Sequence, residues 1–369
     1  MRQSGPVPEQ LSKRSLVTVS HAIERAASAT AEDGPLVVFA LFQRLPYFDR
    51  ERRRYERIAA RAAATVVGLV GADPVLPPPG AYAVSLDESD DLAREWTVVA
   101  LTPRFGGVLV ARDRVEVASD ASTVESGRLF DAWWSLRRDE ALHEVLRLRE
   151  VLADRLPADA RAAVDETVRR VRDLPAAPGE ARVDAAARLL AGRADRAYRT
   201  VPTPGRRPDA ADESVRILDE AGMAHWIGAD AVTASGVLPV ALIGVSLGES
   251  AGAADRVVRR GAAREAQAVL GVLTGVLGPA DRAVRLADRE YLLILPARSE
   301  EEAVAAAQRL HESVAGQTRS YPFVSFAVHT VVAVTARRPL PVAEVRQALR
   351  WAVREDVPVA TLAAAPPMD

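Results

Sequence analysis

The stretch Arg285–Pro296, RLADREYLLILP, narrows the possible folds of this chain more than any other. Its apolar run from Tyr291 to Leu295 is too short for a helix, ends at Pro296, and reads as a buried strand. Val284-Arg285-Leu286 is a second short extended piece, and Ala287-Asp288-Arg289 between the two has the length of a hairpin loop. A β-hairpin entering a core follows. Around it strands and helices alternate. The patterns predict a helix over Asp212–Asp230, a strand over Val240–Gly248, and a helix over Ala254–Leu277 stopped by Gly278-Pro279. Ser299-Glu300-Glu301-Glu302 is a capping box for a helix to Val314. Phe323–Val334 reads as a strand, and Pro341 starts a helix through Arg354.

Preceded by Gly278-Pro279-Ala280-Asp281, the hairpin resembles the signature hairpin of the GGDEF family, the diguanylate cyclases. The motif falls on Ala287-Asp288-Arg289-Glu290-Tyr291, where Glu290 matches identically and Tyr291 conservatively. The resemblance implies a central sheet flanked by helices over residues 209–356, and it shows what each replaced residue takes away. In the family two glycines turn the chain and let a guanine nucleotide approach the backbone closely; Ala287 and Asp288 restore side chains there. The third motif position is an acid that holds a divalent metal through hard oxygen ligands; here it is Arg289, a permanent cation. The family's other metal-binding acid sits in an acid, apolar, acid pattern on the first strand, and those places are Ser246 and Gly248. An arginine of the product-inhibition site would stand at Gly278, and the family's substrate-binding segment has no match in Asp219–Trp226.

Without the metal-binding acids, metal-assisted phosphoryl transfer lacks its main stabilising term. The expectation is a degenerate, non-catalytic GGDEF-like domain with no metal and no other cofactor. Arg289 and Glu290 are its possible nucleotide contacts. Arg289 either faces a phosphate as a fixed cation or is a solvated arginine in a surface hairpin, and Glu290 either orients a nucleotide or pairs with Arg285 or Arg289. The acids Glu249, Asp255 and Asp288 are too dispersed in sequence to suggest a relocated metal pair.

Composition bounds the remaining classes. The chain has 369 residues, room for two domains, and its 49% apolar and 27% charged residues with net charge −2 suit an ordinary soluble protein. No basic excess serves a nucleic-acid backbone, and no direct nucleic-acid partner is expected. Lys13 is the only lysine, so 47 of the 48 basic residues are arginine, a bias of GC-rich codon usage. Cysteine is absent, which removes disulfides, thiolate metal sites and a cysteine nucleophile. MRQSGPVPEQ lacks the apolar core of a signal peptide, and no membrane span is read, so the expected compartment is the cytoplasm.

In the first half, residues 1–10 read as a disordered lead and Ser12–Ala29 as a helix. A strand Leu36–Phe42, a charged helix Phe48–Ala64 and a strand Thr65–Val70 suggest a βαβ unit with a parallel pair. Asp73–Gly80 reads as a rigid loop, Trp96–Leu101 and Gly107–Ala111 as strands, and Leu129–Leu156 as one long helix. Ser12–Val17 with Ser20-His21-Ala22-Ile23-Glu24, Phe39–Arg44, Tyr47-Phe48 and Arg94-Glu95-Trp96 are similar to the DICT domain. That sensory module is found fused to diguanylate cyclase-type and DNA-binding outputs, and the resemblance spans residues 11–156. Gln43, Arg44, Tyr47 and Phe48 follow the carboxyl end of the first strand, where open α/β sheets place ligands. With Trp96 they form a possible sensory pocket; the alternative is that the aromatics are core lids and Arg44 pairs with an acid. The Arg50–Arg57 cluster is interleaved with acids, as on a solvated helix face. The five histidines lack metal-ligand spacing and read as structural or exposed.

Residues 157–208 form a helical connector, Asp159–Leu174 and Ala181–Tyr198, ending in the Pro-rich Pro202–Pro208. These helices either build a coiled stalk or pack against the first domain. The overall expectation is two α/β domains in a regulatory protein of cyclic di-GMP signalling. Its expected partners are a second copy of the chain, a signalling protein, or a guanine nucleotide or cyclic dinucleotide.

Overall fold

The computed structural model describes residues 8–29, 34–70, 77–87, 89–119, 121, 123–200, 217–227, 238–249, 271–273, 275–287, 289–320, 326–336 and 339–363, with backbone alone for 43–47, 195–200, 249, 317–320 and 326. Contacts divide the chain into two units: residues 1–115, 128–201 and 234–236, and residues 116–127, 202–233 and 237–369. Both are α/β.

The first unit is built on a seven-stranded sheet of order β1-β7-β6-β5-β2-β3-β4. Its strands are β1 (Glu9–Ser12), β2 (Val37–Arg44), β3 (Ala64–Val70), β4 (Ala81–Leu86), β5 (Glu95–Leu101), β6 (Gly106–Val117) and β7 (Arg128–Ser135). Helix α1 (Lys13–Ala29) precedes β2, and α2 (Leu45–Ala59) connects β2 to β3. β2 and β3 pair in parallel, Phe39 opposite Val66, so the βαβ unit is present. β3 also pairs in parallel with β4, whereas β5 runs antiparallel to both β2 and β6. Both sheet faces are covered, and the central strands are accordingly near-continuous apolar runs. Phe42, Phe48, Tyr55, Ile58 and Phe130 pack on the face with α1 and α2. Phe39, Val66 and Val99 face the other layer, of α3 (Arg138–Val151) and α4 (Ala158–Asp173).

Two readings of this half are corrected. Leu129–Leu156 is not one helix: its start belongs to strand β7, in which Arg128, Phe130, Ala132 and Trp134 are buried in a period of two. That is the spacing of a strand, and the apolar content of LFDAWW concealed it. Helix α3 begins only at Arg138, where it meets β6 so closely that a Cβ on Gly106 would lie 2.5 Å from the Arg138 Cα. Residues 1–10 are not a lead throughout, because Glu9 and Gln10 begin β1, antiparallel to β7. Residues 1–7 lie outside the described residues, as does the first half of the expected loop 73–80.

The connector helices pack on the first unit. Val164, Val168 and Val171 of α4 join the apolar layer under α3. Helix α5 (Glu180–Thr200) sets Ala187 and Ala191 against the α1–α2 layer. Its buried Asp184 accepts hydrogen bonds from the Leu136 N–H (2.6 Å) and the Ser135 hydroxyl (3.1 Å). The unit therefore runs past residue 156 to 201. The Pro-rich linker 202–208 lies outside the described residues.

The second unit is a six-stranded sheet of order β13-β12-β9-β11-β10-β8. Its strands are β8 (Ile217–Leu218), β9 (Val240–Glu249), β10 (Arg282–Ala287), β11 (Glu290–Pro296), β12 (Phe326–Thr335) and β13 (Val359–Leu362). β9 is central and antiparallel to both β11 and β12. Helix α7 (Glu300–Ser320) covers one face through Ala303, Ala307, Leu310 and Val314. Helix α8 (Val342–Arg354) covers the other, with Val345 and Leu349 buried. Within the expected helix Asp212–Asp230, residues 217–218 are instead strand β8 and the described helix is α6 (Glu220–Ile227), residues 212–216 and 228–230 lying outside the described residues; the expected helix 254–277 lies largely outside them too. The capping box is formed: Ser299 Oγ accepts the Glu302 N–H (3.2 Å), and Glu302 accepts the Ser299 N–H (2.9 Å). Within this unit residues 116–127 bring Val124 into the apolar cluster of Trp226, Ile227, Leu238 and Val284. The Val124 N–H donates to the Trp226 carbonyl (2.9 Å), and Arg282 lies over the Trp226 ring at 5.3 Å.

Candidate functional site

The hairpin forms where it was expected, with one change. Ala287 pairs with Glu290 as a strand residue and not as part of the loop. The positive φ falls on Arg289 (58°) and not on Ala287, a backbone cost of about 1–2 kcal/mol for a residue with a Cβ. Asp288 lies outside the described residues. The Arg289 carbonyl accepts the Leu247 N–H at 3.1 Å, which ties the turn to β9. Tyr291 is buried on the α7 face.

This pairing sets three polar side chains in one row. Ser246 of β9 is the register partner of Glu290 on β11 and of His329 on β12. Register partners share a face with neighbouring Cβ atoms. Two residues before Ser246 on that face is Gly244, whose Cβ would lie 2.9 Å from Val345 Cγ1, so α8 lies directly against the sheet. From α8, Arg346 Nη2 reaches to 3.9 Å of Glu290 Oε2. Gly248, the second vacated acid position, faces Ala327 across β12 and contributes no ligand. Gly278 donates its N–H to Asp281 Oδ2 (2.7 Å), which closes the turn before β10. The row thus holds one carboxylate, set against an arginine, where metal chemistry would need several oxygen ligands. Among the other acids considered, Asp255 and the Glu249 side chain lie outside the described residues.

At the far end of the row, His329 is 6% exposed and its Nε2 lies 3.0 Å from Asp356 Oδ1. A carboxylate only accepts, so this nitrogen carries the proton. His329 Nδ1 and Arg346 Nε are both buried without a hydrogen-bond partner among the described residues. Sequence reading placed His329 among the structural or exposed histidines and passed over Arg346. An arginine one residue after the inward Val345 of an amphipathic helix was the available signal.

In the first unit, a buried carboxylate joins the two helices on one sheet face. Glu24 of α1 is 2% exposed and accepts the Tyr55 hydroxyl (2.7 Å), the Ser20 hydroxyl (3.0 Å) and Arg54 Nη1 (2.9 Å). Burial raises its pKa above the ordinary carboxylate value, although the Tyr55 hydrogen bond and the Arg54 charge pull the other way. Tyr55 is held well above its usual value, first by burial and then by the Glu24 charge. Beside them His21 Nε2 lies 3.3 Å from Glu51 Oε1. His21, Glu24 and Glu51 offer ligand atoms within 4.8 Å of one another, a spacing compatible with a metal ion. Arg54 already supplies that place with a cation, at 2.9 Å from Glu24 and 2.5 Å from Glu51. The set is therefore a clamp between α1 and α2 in which Arg54 bridges the two carboxylates.

The sequence-predicted pocket residues lie next to this clamp. Phe48 is fully buried, its ring 5.5 Å from Phe42 and 6.1 Å from Tyr55, with the Arg52 guanidinium 5.0 Å from its centre. Trp96 is half-buried on the same apolar face, edge-on to Phe130 at 6.1 Å, and its indole N–H is buried without a partner among the described residues. Gln43, Arg44 and Tyr47 occupy the junction of β2 and α2, and their side chains lie outside the described residues. Glu24 and Tyr55 were missed as a site, since nothing in the sequence showed that they meet.

Residues 1–114 match the family DICT, described as a sensory domain in diguanylate cyclases and two-component systems, so the chain carries that domain. No curated protein matches the chain. Among solved structures, it is similar to the GGDEF domain of DgcB from Caulobacter crescentus in complex with c-di-GMP, at 17% identity over 42% of this chain and 97% of that one, with a TM-score of 0.32. It is similar to the diguanylate cyclase SiaD in complex with its activator SiaC from Pseudomonas aeruginosa, at 16% identity over 62% of this chain and 88% of that one, TM-score 0.34. A third is the active GGEEF domain of a diguanylate cyclase from Vibrio cholerae, at 13% identity over 35% of this chain and 85% of that one, TM-score 0.28. No helix among the described residues is long and apolar enough to cross a membrane.

Proposed function

We propose that the chain is a non-enzymatic regulator in cyclic di-GMP signalling. Its DICT domain senses, and its degenerate GGDEF-like unit passes the signal on through a second copy, a protein partner, or a nucleotide bound without turnover. The observation that carries this reading is the row Glu290–Ser246–His329 with Arg346 beside it. A divalent cation that activates a hydroxyl and spreads the charge of a triphosphate needs clustered oxygen ligands. The row offers one carboxylate, and an arginine approaches it. Arg289 adds a further positive charge at the turn, where the resemblance to cyclases asks for an acid.

The test is product analysis of the purified full chain with GTP and Mg²⁺. No linear or cyclic dinucleotide is expected; its formation at a rate proportional to protein concentration overturns the reading. A thermal-shift screen with GTP, ATP and cyclic di-GMP, each with and without Mg²⁺, accompanies it. A ligand at 100 times its dissociation constant stabilises the native state by about 2.7 kcal/mol, which is readily seen.

A further inference from the structure

We infer that His21, Glu24 and Glu51 of the DICT domain form a site for a transition-metal dication of the zinc class, in which Arg54 keeps the place until the metal displaces it. The inference rests on the sensing role proposed for that domain and gives it a ligand class. The ligands come from two facing helices. His21 and Glu24 lie three residues apart on α1, and Glu51 and Arg54 three residues apart on α2, so each pair shares one helix face. One ligand atom from each of His21, Glu24 and Glu51 lies within 4.8 Å of the other two, and His21 Nε2 is 3.3 Å from Glu51 Oε1. Metal–nitrogen and metal–oxygen bonds of about 2.0–2.2 Å require these atoms to draw together by about 1 Å, which side-chain rotation supplies.

Glu24 is already oriented for this role. Its Oε1 accepts the Tyr55 and Ser20 hydroxyls, which leaves Oε2 facing the cation, now Arg54 Nη1. Outer hydrogen bonds of this kind fix a metal-bound carboxylate. Charge favours the exchange. Arg54 bridges two carboxylates with a single positive charge, and Glu24 is out of water, so one negative charge is left over beside a neutral imidazole. A dication balances both carboxylates and bonds the imidazole nitrogen as well. One nitrogen and two oxygen donors suit zinc and its neighbours, whereas calcium and magnesium take oxygen ligands. The route is open: the side chains of Arg54, Glu51 and His21 are 25%, 26% and 30% exposed, so the ion enters and Arg54 leaves on the water side. The spacing of histidines along the chain could not show such a site, because it takes only one of them.

The probe is Zn²⁺, titrated by calorimetry into the tag-free, chelator-treated full chain in excess Mg²⁺, which fills sites made of oxygen ligands alone. Binding is expected to be at least tenfold weaker in His21→Ala and in Glu51→Gln, whose side chains are partly exposed and whose loss the fold tolerates. It is expected to be at least tenfold tighter in Arg54→Gln, which removes the competing cation. A clamp with no metal function does not give this opposition. Melting is the second readout: Zn²⁺ should raise the midpoint of Arg54→Gln by more than that of the unaltered chain, and that of His21→Ala by less. No binding, binding that His21→Ala and Glu51→Gln leave unchanged, weaker binding in Arg54→Gln, or equal melting shifts in all three proteins overturns the inference. The non-enzymatic reading of the second unit survives each of these results, and dinucleotide formation from GTP overturns it separately.

Discussion

Glu24 is a carboxylate held out of water by α1 and α2, and its raised pKa has a definite consequence for stability. Burial favours its neutral form, so in the window between the ordinary value of 4.5 and the raised folded value the native state binds more protons than the unfolded chain. Stability contributed by this group is then fully present below that window and falls as pH rises through it. Glu144, raised by burial on the opposite sheet face, acts in the same direction. Glu24→Gln should flatten the slope of melting temperature against pH above 4.5, and an unchanged slope would assign it to Glu144 and other groups. The site at this scale was only partly legible. Arg289, Glu290 and Ser246 stood out because a motif fixes their places, but the partner of Glu290 comes from α8, distant in sequence. His329 meets Ser246 only through strand pairing. Glu24 and Tyr55 are likewise joined by tertiary structure, and no local pattern announces a carboxylate that will lose its water.

At the scale of elements, local signals held where the chemistry is local. The capping box at Ser299 was readable because both donors and both acceptors lie within four residues. Ser299→Ala should cost about 0.5–2 kcal/mol, seen as a lower urea midpoint at unchanged slope. The hairpin 282–296 was readable from its short apolar run. Strand β7 was not, because LFDAWW is apolar enough for a helix and its period of two becomes decisive only beside the neighbouring strands. The segment 116–127 was invisible for a similar reason: its one strong apolar contribution, Val124, is 2% exposed through contacts with residues more than a hundred positions away. Val124→Asp would set a carboxylate among the apolar side chains of Trp226, Leu238 and Val284. A loss of about 3 kcal/mol or more follows from taking that charge out of water. The measurement is amide exchange, which should rise in peptides covering 220–227 and 282–292 and stay unchanged in 37–44; equal exchange in all of them would mean that Val124 is not part of that core.

Among the described residues the apolar clusters form two sets that share no residue: those of the sheet β1–β7, and those of the sheet β8–β13. Cooperativity in unfolding comes from a continuous core, so a chain with two cores is expected to depart from two-state behaviour. Calorimetry of the full chain should give an endotherm that resolves into two transitions. Phe39 and Leu310, both 0% exposed, are the matched probes, one in each core. Phe39→Ala should remove about 3–5 kcal/mol and Leu310→Ala about 2–5 kcal/mol from the unit that contains it. For units of this size each kcal/mol moves the midpoint by about 2–4 °C, so either variant should shift one transition by several degrees and leave the other in place. The same assignment shows where a ligand acts: a nucleotide bound by the second unit should raise the transition that Leu310→Ala lowers, while a ligand of the DICT domain should raise the one that Phe39→Ala lowers. A single transition lowered alike by both variants would mean that the cores melt as one block. In that case a signal at the first unit reaches the second through shared stability, and neither unit can be assigned its own ligand by melting alone.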